Sequence, residues 1–453
     1  MKKQLITIAT MAVLFLSLFV AVSEAATKKM DIDNSVDTNE IVADLRGVDQ
    51  STVITLRGEI TQNTRLTSNN RYLLDGVVFV RRGAKLRIQP GTQIFAGPRS
   101  ALVIDRGAQI IAKGRANNPI IFTSAQDPGN RRRGDWGGII INGFAPINNG
   151  DSNGEADGEG NTGKYGGRVP DDNSGTMRFC RVEFAGFAFS PTNELNGLAL
   201  QGVGNKTVIE NIQVTEAGDD AIEFFGGTVN VKRLLLFGSM DDAFDWTGGW
   251  VGKAQFVLIR QDGNIEANNG IEADNDAINN DLLPRSAPII YNMTIVGDPD
   301  TRTATSIGML LRVGTAGTLR NIIVQGYKDV AVRIKDDSTL AQYNSGALSL
   351  ENIIFFDNRR GVTQFQRNDG SDAGDLSNRM RNILFTDPQL VDATSKNAPS
   401  FRPRPGSPAI DPANVAATPA NDSFFERVNF VGGVGTTDAT DFTVGGWVSF
   451  RRN

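Results

Sequence analysis

The chain has 453 residues, with 46 Lys and Arg, 51 Asp and Glu, a single Cys and no His. The lack of His excludes a Ser-His-Asp triad, a Cys-His pair and His-ligated zinc, and one Cys excludes an internal disulfide. A net charge of −5 disfavours nucleic acid and anionic membranes as partners. Any chemistry must therefore rest on Asp, Glu, Lys, Arg, Tyr or a hard cation, and we expect no zinc, haem or nucleotide cofactor.

Residues 1–25 have the pattern of an export signal. Two early Lys give a positive start, the stretch from Leu5 to Val22 is apolar, and Ser23-Glu24-Ala25 offers small residues for cleavage. An uncleaved membrane anchor is the alternative, but the apolar segment is short and is interrupted by Thr and Ser. No later segment could span a membrane as a helix. We expect an exported protein that is secreted, at the cell surface or in the periplasm.

Beyond the signal, short apolar runs alternate with turns rich in Gly and Asn. Asn292, Asn321, Asn352 and Asn382 each begin such a run, at intervals of 29, 31 and 30 residues. This period is typical of a β-solenoid, in which each lap stacks on the last at about 4.8 Å. It predicts inward apolar columns and a ladder of Asn side-chain amides at one turn.

The same pattern divides the chain into four parts. Residues 1–25 are the signal, 26–75 an N-terminal lead and cap, 76–400 the solenoid, and 401–453 a Pro-rich exit and C-terminal cap. Caps are expected because the end laps of a solenoid would otherwise expose strand edges and core.

One acidic phrase occurs twice. DDAIEF (219–224) returns 22 residues later as DDAFDW (241–246). Alternation along a strand predicts Ile222 inward and Glu223 outward, and stacking of laps then adds further acids to an outward column of carboxylates. A second acidic column is expected at the turn before each strand. The predicted cation ligands are Asp219, Glu223, Asp241, Asp245, Glu272 and Asp274.

Three interpretations of this acidic column are open. Stacked carboxylates repel, and a bound cation relieves the repulsion; oxygen-only ligands suit Ca²⁺. Two carboxylates about 5–10 Å apart also suit glycoside hydrolysis. The third interpretation is a solvated or ion-paired face without function.

A second acidic stretch precedes the first. Its NGEADG phrase is similar to the start of a Ca²⁺ loop, with Gly158 at the turn, but Lys164 stands where the closing Glu belongs. A flexible, solvated insertion is the alternative. The candidate ligands of this second site are Asp151, Asn153, Glu155 and Asp157.

Aromatic residues beside glycines offer a sugar-binding face. Trp136 and Trp250 are the predicted ligand-binding residues, whereas Trp246 occupies an inward slot and is expected in the core. Cys180 alternates with charged neighbours and is also expected to be buried.

Several phrases resemble known proteins. "LRIQPGTQIFAG" and "RPGSPAIDP" resemble secreted bacterial right-handed parallel β-helix proteins of the pectate-lyase-like fold. "RRGDWGGIIING", "DDAIEFFGGTVN" and "FFERVNFVGGVG" resemble a largely uncharacterised exported Gram-negative group. The resemblance covers nearly the whole chain after the signal. It implies an all-β, right-handed parallel β-helix with N- and C-terminal caps.

Two phrases also resemble polygalacturonase-type hydrolases. By that resemblance Asp219 and Asp220 in "GDDAIEF" would be the acids, and Arg333 and Lys335 in "VRIKDD" would hold a substrate carboxylate. The family's Gly-His-Gly segment is absent from this chain. Where the family has an Asn-Thr-Asp segment, this chain has "NELNGL", and Asn196 stands nearest to the position of the family's Asp. A Ca²⁺-dependent polysaccharide lyase needs no His, since Arg or Lys can act as base. The candidate bases are Arg260, Arg333 and Lys335.

The leading functional hypothesis is non-enzymatic. It is an exported surface or extracellular component that binds a glycan or a cell-surface partner and holds Ca²⁺ in the acidic column. The alternative is a Ca²⁺-dependent lyase, or less readily a glycoside hydrolase, acting on acidic polysaccharide. A purely structural or adhesive surface component is the third hypothesis.

Overall fold

The structure, a computed structural model, describes residues 53–190, 193–262, 269–298, 306–358, 365–366 and 374–451. The predicted export signal lies outside the described residues. Within these ranges no helix is both long and apolar enough to cross a membrane.

Short strands make up most of the regular secondary structure in the described chain. The first eleven are β1 Val53–Leu56, β2 Glu59–Ile60, β3 Thr64–Leu66, β4 Arg71–Leu74, β5 Val77–Val80, β6 Lys85–Ile88, β7 Gln93–Ala96, β8 Ala101–Ile104, β9 Gln109–Lys113, β10 Ile120–Ser124 and β11 Ile139–Asn142. The next ten are β12 Glu155–Asp157, β13 Lys164–Gly166, β14 Gly175–Glu183, β15 Ala188–Ser190, β16 Asn193–Glu194, β17 Leu198–Gln201, β18 Val208–Thr215, β19 Ile222–Phe225, β20 Asn230–Phe237 and β21 Phe244–Thr247.

The last eleven strands continue the same pattern. They are β22 Lys253–Arg260, β23 Asn269–Ala273, β24 Ile289–Val296, β25 Ile307–Leu311, β26 Gly317–Gln325, β27 Val330–Ile334, β28 Leu348–Phe356, β29 Phe365–Gln366, β30 Arg381–Phe385, β31 Leu390–Asp392 and β32 Ser400–Pro403. Helix α1 is Asp337–Ser345, and short 3-10 helices lie at Glu159–Asn161, Gly374–Arg379, Pro408–Ile410, Pro412–Asn414 and Asp438–Thr440.

Successive laps stack as two long parallel sheets. One follows the order β1-β4-β7-β10-β14-β18-β20-β22-β24-β26-β28-β30, with β3, β6 and β9 beside it. The other follows β2-β5-β8-β11-β17-β19-β21-β23-β25-β27-β29. Each strand of these two sheets thus pairs with the equivalent strand of the next lap, which is the arrangement of a right-handed parallel β-helix, whereas β12-β13, β15-β16 and β31-β32 are separate antiparallel pairs. The predicted fold class is confirmed.

The larger sheet bends into two faces along one column of residues. Strand β14 pairs with β9 before the bend at Phe179 and with β10 after it. The residue at the bend has φ between 50° and 61° in every lap from β14 to β30, a left-handed conformation that Asn tolerates better than most residues. The bend residues are Phe179, Asn211, Arg233, Phe256, Asn292, Asn321, Asn352 and Asn382.

Apolar side chains fill the interior between the faces. The main core is continuous from Leu66 to Met380 and contains Cys180, which is fully buried as predicted. Burial raises the pKa of the Cys180 thiol to about 12, so the thiol is unreactive at neutral pH.

Strand stacking is present from Val53 onward. Residues 26–75 are expected to form an N-terminal lead and cap, and within their described part β1 pairs in parallel with β4, from Val53 with Arg71 to Leu56 with Leu74. These strands stack in the same sheet as the later laps. The strands are short and carry exposed polar side chains, which hides their period in the sequence.

The C-terminal segment lies along the side of the solenoid. We define residues 408–451 as the C-terminal strap. Its backbone accepts hydrogen bonds from three bend asparagines: Asn352 to Asn414 at 2.9 Å, Asn321 to Ala416 at 2.9 Å and Asn292 to Phe430 at 2.8 Å. The asparagine side chains of the predicted amide ladder thus bind the backbone of the strap. The segment that was expected to cap the end of the solenoid packs along its side.

Candidate functional site

The repeated acidic phrase forms a column on the smaller sheet. In the parallel register Glu223 pairs with Asp245, and Asp245 pairs with Glu272. Ala199 occupies the same position one lap earlier, and Leu310 one lap later. Neighbouring strands lie about 4.8 Å apart, so the three carboxylates stand at that repeat. This register agrees with the one predicted from the sequence.

A second acidic column precedes these strands at the turn. The Asp242 backbone N–H donates to Asp220 at 2.8 Å, and the Asn269 N–H donates to Asp242 at 2.7 Å. Each Asp side chain thus ties its own lap to the next. The repeat of the Asp-Asp pair therefore has a structural role as well as a place in the site.

Together the two columns form one group of carboxylates, here called the acidic cluster. It consists of Asp219, Asp220, Glu223, Asp241, Asp242, Asp245 and Glu272. Three overlapping triplets within it place ligand oxygens within 4.8 Å of one another: Asp219-Asp220-Asp241, Asp220-Glu223-Asp245 and Asp242-Asp245-Glu272. The cluster contains five of the six predicted cation ligands and adds Asp220 and Asp242.

The acidic cluster points away from the core but is covered. Glu223 and Asp245 are each 9% exposed. An insertion packs over this face: Tyr165 lies edge-on to Phe225 at 6.2 Å, and both belong to a small apolar cluster with Ala199. The predicted outward direction is correct. The interpretation as a solvated face does not fit these buried side chains, and the sequence does not show which insertion covers them.

Burial makes the negative charges costly. It raises the pKa of Asp219 to about 8, with added repulsion from Glu194 and Asp241. Burial, partly opposed by Arg312, raises the pKa of Glu272 to about 7. For Glu223 and Asp245 burial and mutual repulsion move the pKa well above the usual range. The cluster is therefore an arrangement that favours protons or a cation.

Two residues from insertions extend this field. Burial, together with the charge of Glu194, raises the pKa of Glu159 to about 7. Glu159 also raises the pKa of Glu223 by charge repulsion. Both insertions thus deliver acids to the same face of the solenoid.

Some oxygens at the site lack partners. Oδ1 of Asp245, Oδ1 of Asn196 and Oε2 of Glu159 are buried without a hydrogen-bond partner. Asn196 uses its amide to donate to Glu223 at 2.6 Å, which leaves its own oxygen available. A buried oxygen without a partner costs about 1–3 kcal/mol, and a hard cation would remove that cost.

The donor set fits Ca²⁺ better than a softer metal. All nearby donors are carboxylate or amide oxygens, and Ca²⁺ takes six to eight oxygens in flexible geometry. Zinc sites instead use His nitrogen and Cys sulfur. The residues that would hold the ion are those of the three triplets, with Asp245 shared by two of them.

One arginine closes the edge of the cluster. Arg312 contacts Glu272 and donates through Nε to Asp274 at 2.7 Å. Asp274 is thereby neutralised, and it belongs to none of the three triplets. The geometry therefore does not support Asp274 as a cation ligand, because Arg312 already pairs with it. The periodicity of the sequence gives no sign of this pairing, since Arg312 lies on the next lap.

Two of the candidate lyase bases, Arg333 and Arg260, are engaged in other contacts. Arg333 lies two laps beyond Glu272 in the same column of residues, and its side chain pairs with Asp329 at 2.6 Å. Lys335 lowers the pKa of Asp274 by its charge. Arg260 is 2% exposed and donates to Thr394 O at 2.7 Å. Asp219 and Asp220 are members of the cluster.

The chain's family is shown by its sequence. Residues 58–397 match the family described as "Pectate-lyase like beta helix domain". The chain belongs to this family of pectate-lyase-like β-helix proteins. The match ends before the C-terminal strap.

Among solved structures, this pectate-lyase-like protein resembles the crystal structure of pectate lyase Pel9A, with 13% sequence identity and a TM-score of 0.34. That likeness covers 87% of this chain and 90% of the other. No curated protein matches.

The second acidic stretch of this β-helix protein does not converge on a site. Asp151 accepts from the backbone N–H of Asn153 and of Glu155, at 2.8 and 3.1 Å. Glu155 pairs with Arg106 at 2.7 Å, and Asp157 pairs with Lys164 at 2.9 Å. These acids are used to shape and anchor the β12–β13 hairpin.

The prediction that Trp136 and Trp250 bind sugar is wrong, because both side chains are buried. Trp136 and Trp250 are 0% exposed, and their indole N–H groups donate to Glu183 O at 2.9 Å and Val229 O at 3.1 Å. Trp250 stacks on Phe224 with ring centroids 4.0 Å apart. Gly248 and Gly249 both have positive φ, which turns the chain back so that Trp250 enters the core. Trp246 is also fully buried, as predicted.

Four residues at the site were missed by sequence reasoning. Asp242 had a signal, because it repeats Asp220 at the same offset as the other acids. Glu159, Glu194 and Arg312 had none, since two lie in insertions and the third lies on a lap without the acidic phrase.

Proposed function

We propose that this pectate-lyase-like β-helix protein is an exported component that binds acidic polysaccharide and holds Ca²⁺ in its acidic cluster. The observation that carries the proposal is the set of three overlapping carboxylate triplets, two of which share Asp245, whose Oδ1 is buried without a hydrogen-bond partner. Ca²⁺ would neutralise the repulsion between laps and would leave coordination positions for a carboxylate of the polymer.

The partly open edge of the cluster favours a polymer ligand. Glu272 retains 14% side-chain exposure and Arg312 retains 27%. A uronate arriving at this edge would meet a cation on one side and a guanidinium on the other, two groups that bind carboxylates strongly. A long flank of parallel laps suits an extended polymer better than a small, enclosed molecule.

Binding is favoured over cleavage because two arginines on this face, Arg312 and Arg333, are paired with carboxylates. Elimination needs a base that removes the proton α to the uronate carboxyl group, after which the C–O bond to the leaving sugar breaks and a double bond forms. Burial lowers the pKa of the Arg312 guanidinium, but its hydrogen bond to Asp274 and the charge of Glu272 raise it by more, so the group stays protonated and cannot accept a proton. Arg333 is ion-paired to Asp329.

A Ca²⁺-dependent lyase is the second candidate function. The observation in its favour is the position of Arg333 in the same column as Glu223, Asp245 and Glu272. Release of Arg333 from Asp329 would bring a basic group to the acidic face. Unsaturated uronate products absorb ultraviolet light, so this candidate is directly measurable.

The test combines metal binding with polymer binding. Calcium is titrated calorimetrically into the metal-free wild type, Asp245→Asn and a matched control, Asp157→Asn, whose carboxylate pairs with Lys164 away from the cluster. We expect wild type and control to bind Ca²⁺ and retain polygalacturonate on affinity gels, and Asp245→Asn to lose both. Equal binding by Asp245→Asn and the control would refute the proposal.

The same samples separate the remaining alternatives. A Ca²⁺-dependent rise in ultraviolet absorbance with polygalacturonate would favour the lyase. Ca²⁺ binding without any glycan binding would favour a structural or adhesive component. Export is tested independently by expressing the full chain and sequencing the N-terminus of the protein recovered outside the inner membrane; cleavage near Ala25 is expected.

A further inference from the structure

We propose that a cavity of about 480 Å³ near the acidic cluster binds an oxyanion of an acidic glycan, a carboxylate or a sulfate, without Ca²⁺. Its charged lining consists of Arg131, Arg181, Arg451 and Glu183, and we call it the arginine pocket. The inference deepens the proposed function and rests on it for the choice of a polymeric ligand. The pocket adds a second contact of opposite charge to the acidic cluster.

Strand β14 supplies the floor of the arginine pocket. Cys180 and Val182 point into the core, so the alternating residues Arg181 and Glu183 point outward. Their side chains are 15% and 13% exposed, and Arg181 Nε lies 2.9 Å from Glu183 Oε1. That approach is not a hydrogen bond, because Nε remains a buried donor without a partner. The ion pair thus leaves one donor of Arg181 without a partner, and the partly exposed remainder of the side chain lines the cavity.

The C-terminal strap supplies the second arginine. Gln213 lies directly beside Arg181 in the next lap. Its amide donates to Ser449 O at 2.5 Å, and its oxygen accepts from the Ser449 N–H at 2.9 Å. This double hydrogen bond fixes the strap one lap away from Arg181. Arg451, two residues further along, is thereby held at the pocket.

The loop after β10 supplies the third arginine. Arg131 donates through Nε to Gln126 O at 3.0 Å, which directs the half-buried side chain along the loop. The loop is itself held against the turn after β14, since the Asp135 N–H donates to Phe184 O at 3.1 Å. Three segments far apart in sequence thus converge on one cavity.

The guanidinium groups of the lining select the ligand. Three arginines and one glutamate line the cavity, and Arg131 also lies in the field of Glu183, Asp135 and Asp127, so Arg181 and Arg451 carry the argument. Guanidinium groups offer paired donors that match the two oxygens of a carboxylate or the oxygens of a sulfate. A neutral sugar offers no charge to match these donors, so an anionic group is the ligand of choice.

The pocket lies beside the acidic cluster. Ala185 O accepts from the Gly134 N–H at 3.2 Å and from the Gly218 N–H at 2.7 Å. Gly134 belongs to the arginine loop, and Gly218 immediately precedes Asp219. One hydrogen-bonded turn therefore separates the two sites, and a single acidic chain could contact both.

The experiment measures glycan binding by the full chain with EDTA present, so that the acidic cluster holds no Ca²⁺. The probes are polygalacturonate, dextran sulfate and neutral dextran. The variants are Arg181→Gln and Arg451→Gln, with Arg178→Gln as the matched control on the same strand; Arg178 pairs with Glu210 and does not line the pocket. Affinity is measured at low and high salt.

We expect at least one anionic probe to bind and neutral dextran not to bind. Each pocket variant should weaken that binding by roughly tenfold or more, since a hydrogen bond to a charged group contributes that much. The Arg178→Gln control should bind as the wild type does. Preference for polygalacturonate over dextran sulfate would identify a carboxylate, and the reverse a sulfate.

Failure of this inference is distinguishable from failure of the proposed function. No anionic glycan binding in EDTA, or equal loss in Arg178→Gln and Arg181→Gln, would overturn the arginine pocket. Arg451 is exposed, so Arg451→Gln should not disturb the core, and it tests the pocket even where Arg181→Gln fails to fold. The proposed function fails separately if Ca²⁺ and Asp245→Asn leave polygalacturonate binding unchanged.

Discussion

Glu223 and Asp245 are direct neighbours in the parallel ladder, and each is only 9% exposed. Two like charges at the strand spacing of about 4.8 Å, shielded from water, repel more strongly than they would on an open surface. At the same position the preceding lap carries Ala199, and the lap after Glu272 carries Leu310. The stacked carboxylates therefore oppose the stacking of their laps, and this repulsion has measurable consequences.

The metal-free protein should lose stability as pH rises. Asp219, with an ordinary pKa of 3.8, has its pKa raised to about 8 in the folded protein, and Glu272 has its pKa raised from 4.5 to about 7. Folding therefore takes up protons between about pH 4 and pH 8. The free energy of unfolding is highest near the acid end of this window and falls by about 1.4 kcal/mol per pH unit for each proton.

Thermal unfolding in EDTA across this window checks that slope. Addition of Ca²⁺ at the alkaline end should restore stability, by about 2.7 kcal/mol at a concentration one hundred times the dissociation constant. A protein whose melting temperature rises with pH in EDTA would contradict the expected proton uptake.

Arg312→Gln should destabilise the protein by about 1–3 kcal/mol, because Glu272 and Asp274 lose their shared cation while remaining largely buried. The added negative charge should at the same time strengthen Ca²⁺ binding. Chemical denaturation with and without Ca²⁺ measures both effects. Lys206→Gln removes an exposed pair with Asp171 and should change stability by less than about 1 kcal/mol.

Trp250→Ala should cost about 3–5 kcal/mol, since the ring is fully buried and stacks on Phe224. Val251→Ala, at a 40% exposed neighbour, should change stability by no more than about 0.5 kcal/mol. Denaturant unfolding compares the two. A Trp250→Ala protein of normal stability with reduced glycan affinity would restore the sugar-binding interpretation that the structure rejects.

Asn321 tests the docking of the C-terminal strap. Its side chain donates to Ala416 O and accepts from the Ala416 N–H at 2.7 Å, while its backbone holds φ at 57°. Asn321→Ala removes both hydrogen bonds and also disfavours the backbone, whereas Asn321→Gly removes the bonds alone. The Ala variant should be less stable than the Gly variant by roughly 1–2 kcal/mol.

Hydrogen exchange should show where the Asn321 substitutions act. Both variants should exchange faster at Ala416 than the wild type, because that N–H loses its acceptor. Unchanged protection at Ala416 would mean that the strap is held by its other contacts alone.

The acidic column was predictable because the fold is periodic. A repeat of 22 residues fixes the register of Glu223 and Asp245 once the period is recognised, and alternation then fixes their direction. The same logic reached Cys180 and Trp246. It would also have reached Asp242, which repeats Asp220, had both members of the Asp-Asp pair been followed.

What breaks the period could not be predicted from it. Glu159 arrives on an insertion and Arg312 on a lap of different length, so neither position carries a periodic signal. Trp250 was misplaced because consecutive glycines with positive φ turn the chain by an amount that sequence spacing does not encode. The position of the strap along the side of the solenoid depends on contacts between residues far apart in sequence, which no local pattern predicts.

The hydrogen bonds between Gln213 and Ser449 join residues 236 apart. A solenoid without such a contact gains its stability lap by lap and can fray from either end. Here the C-terminal strap binds laps that come much earlier in the sequence, so the strap must separate from those laps before either can open fully. These contacts also form only after residues 408–451 have docked, which makes docking of the strap a step of high contact order.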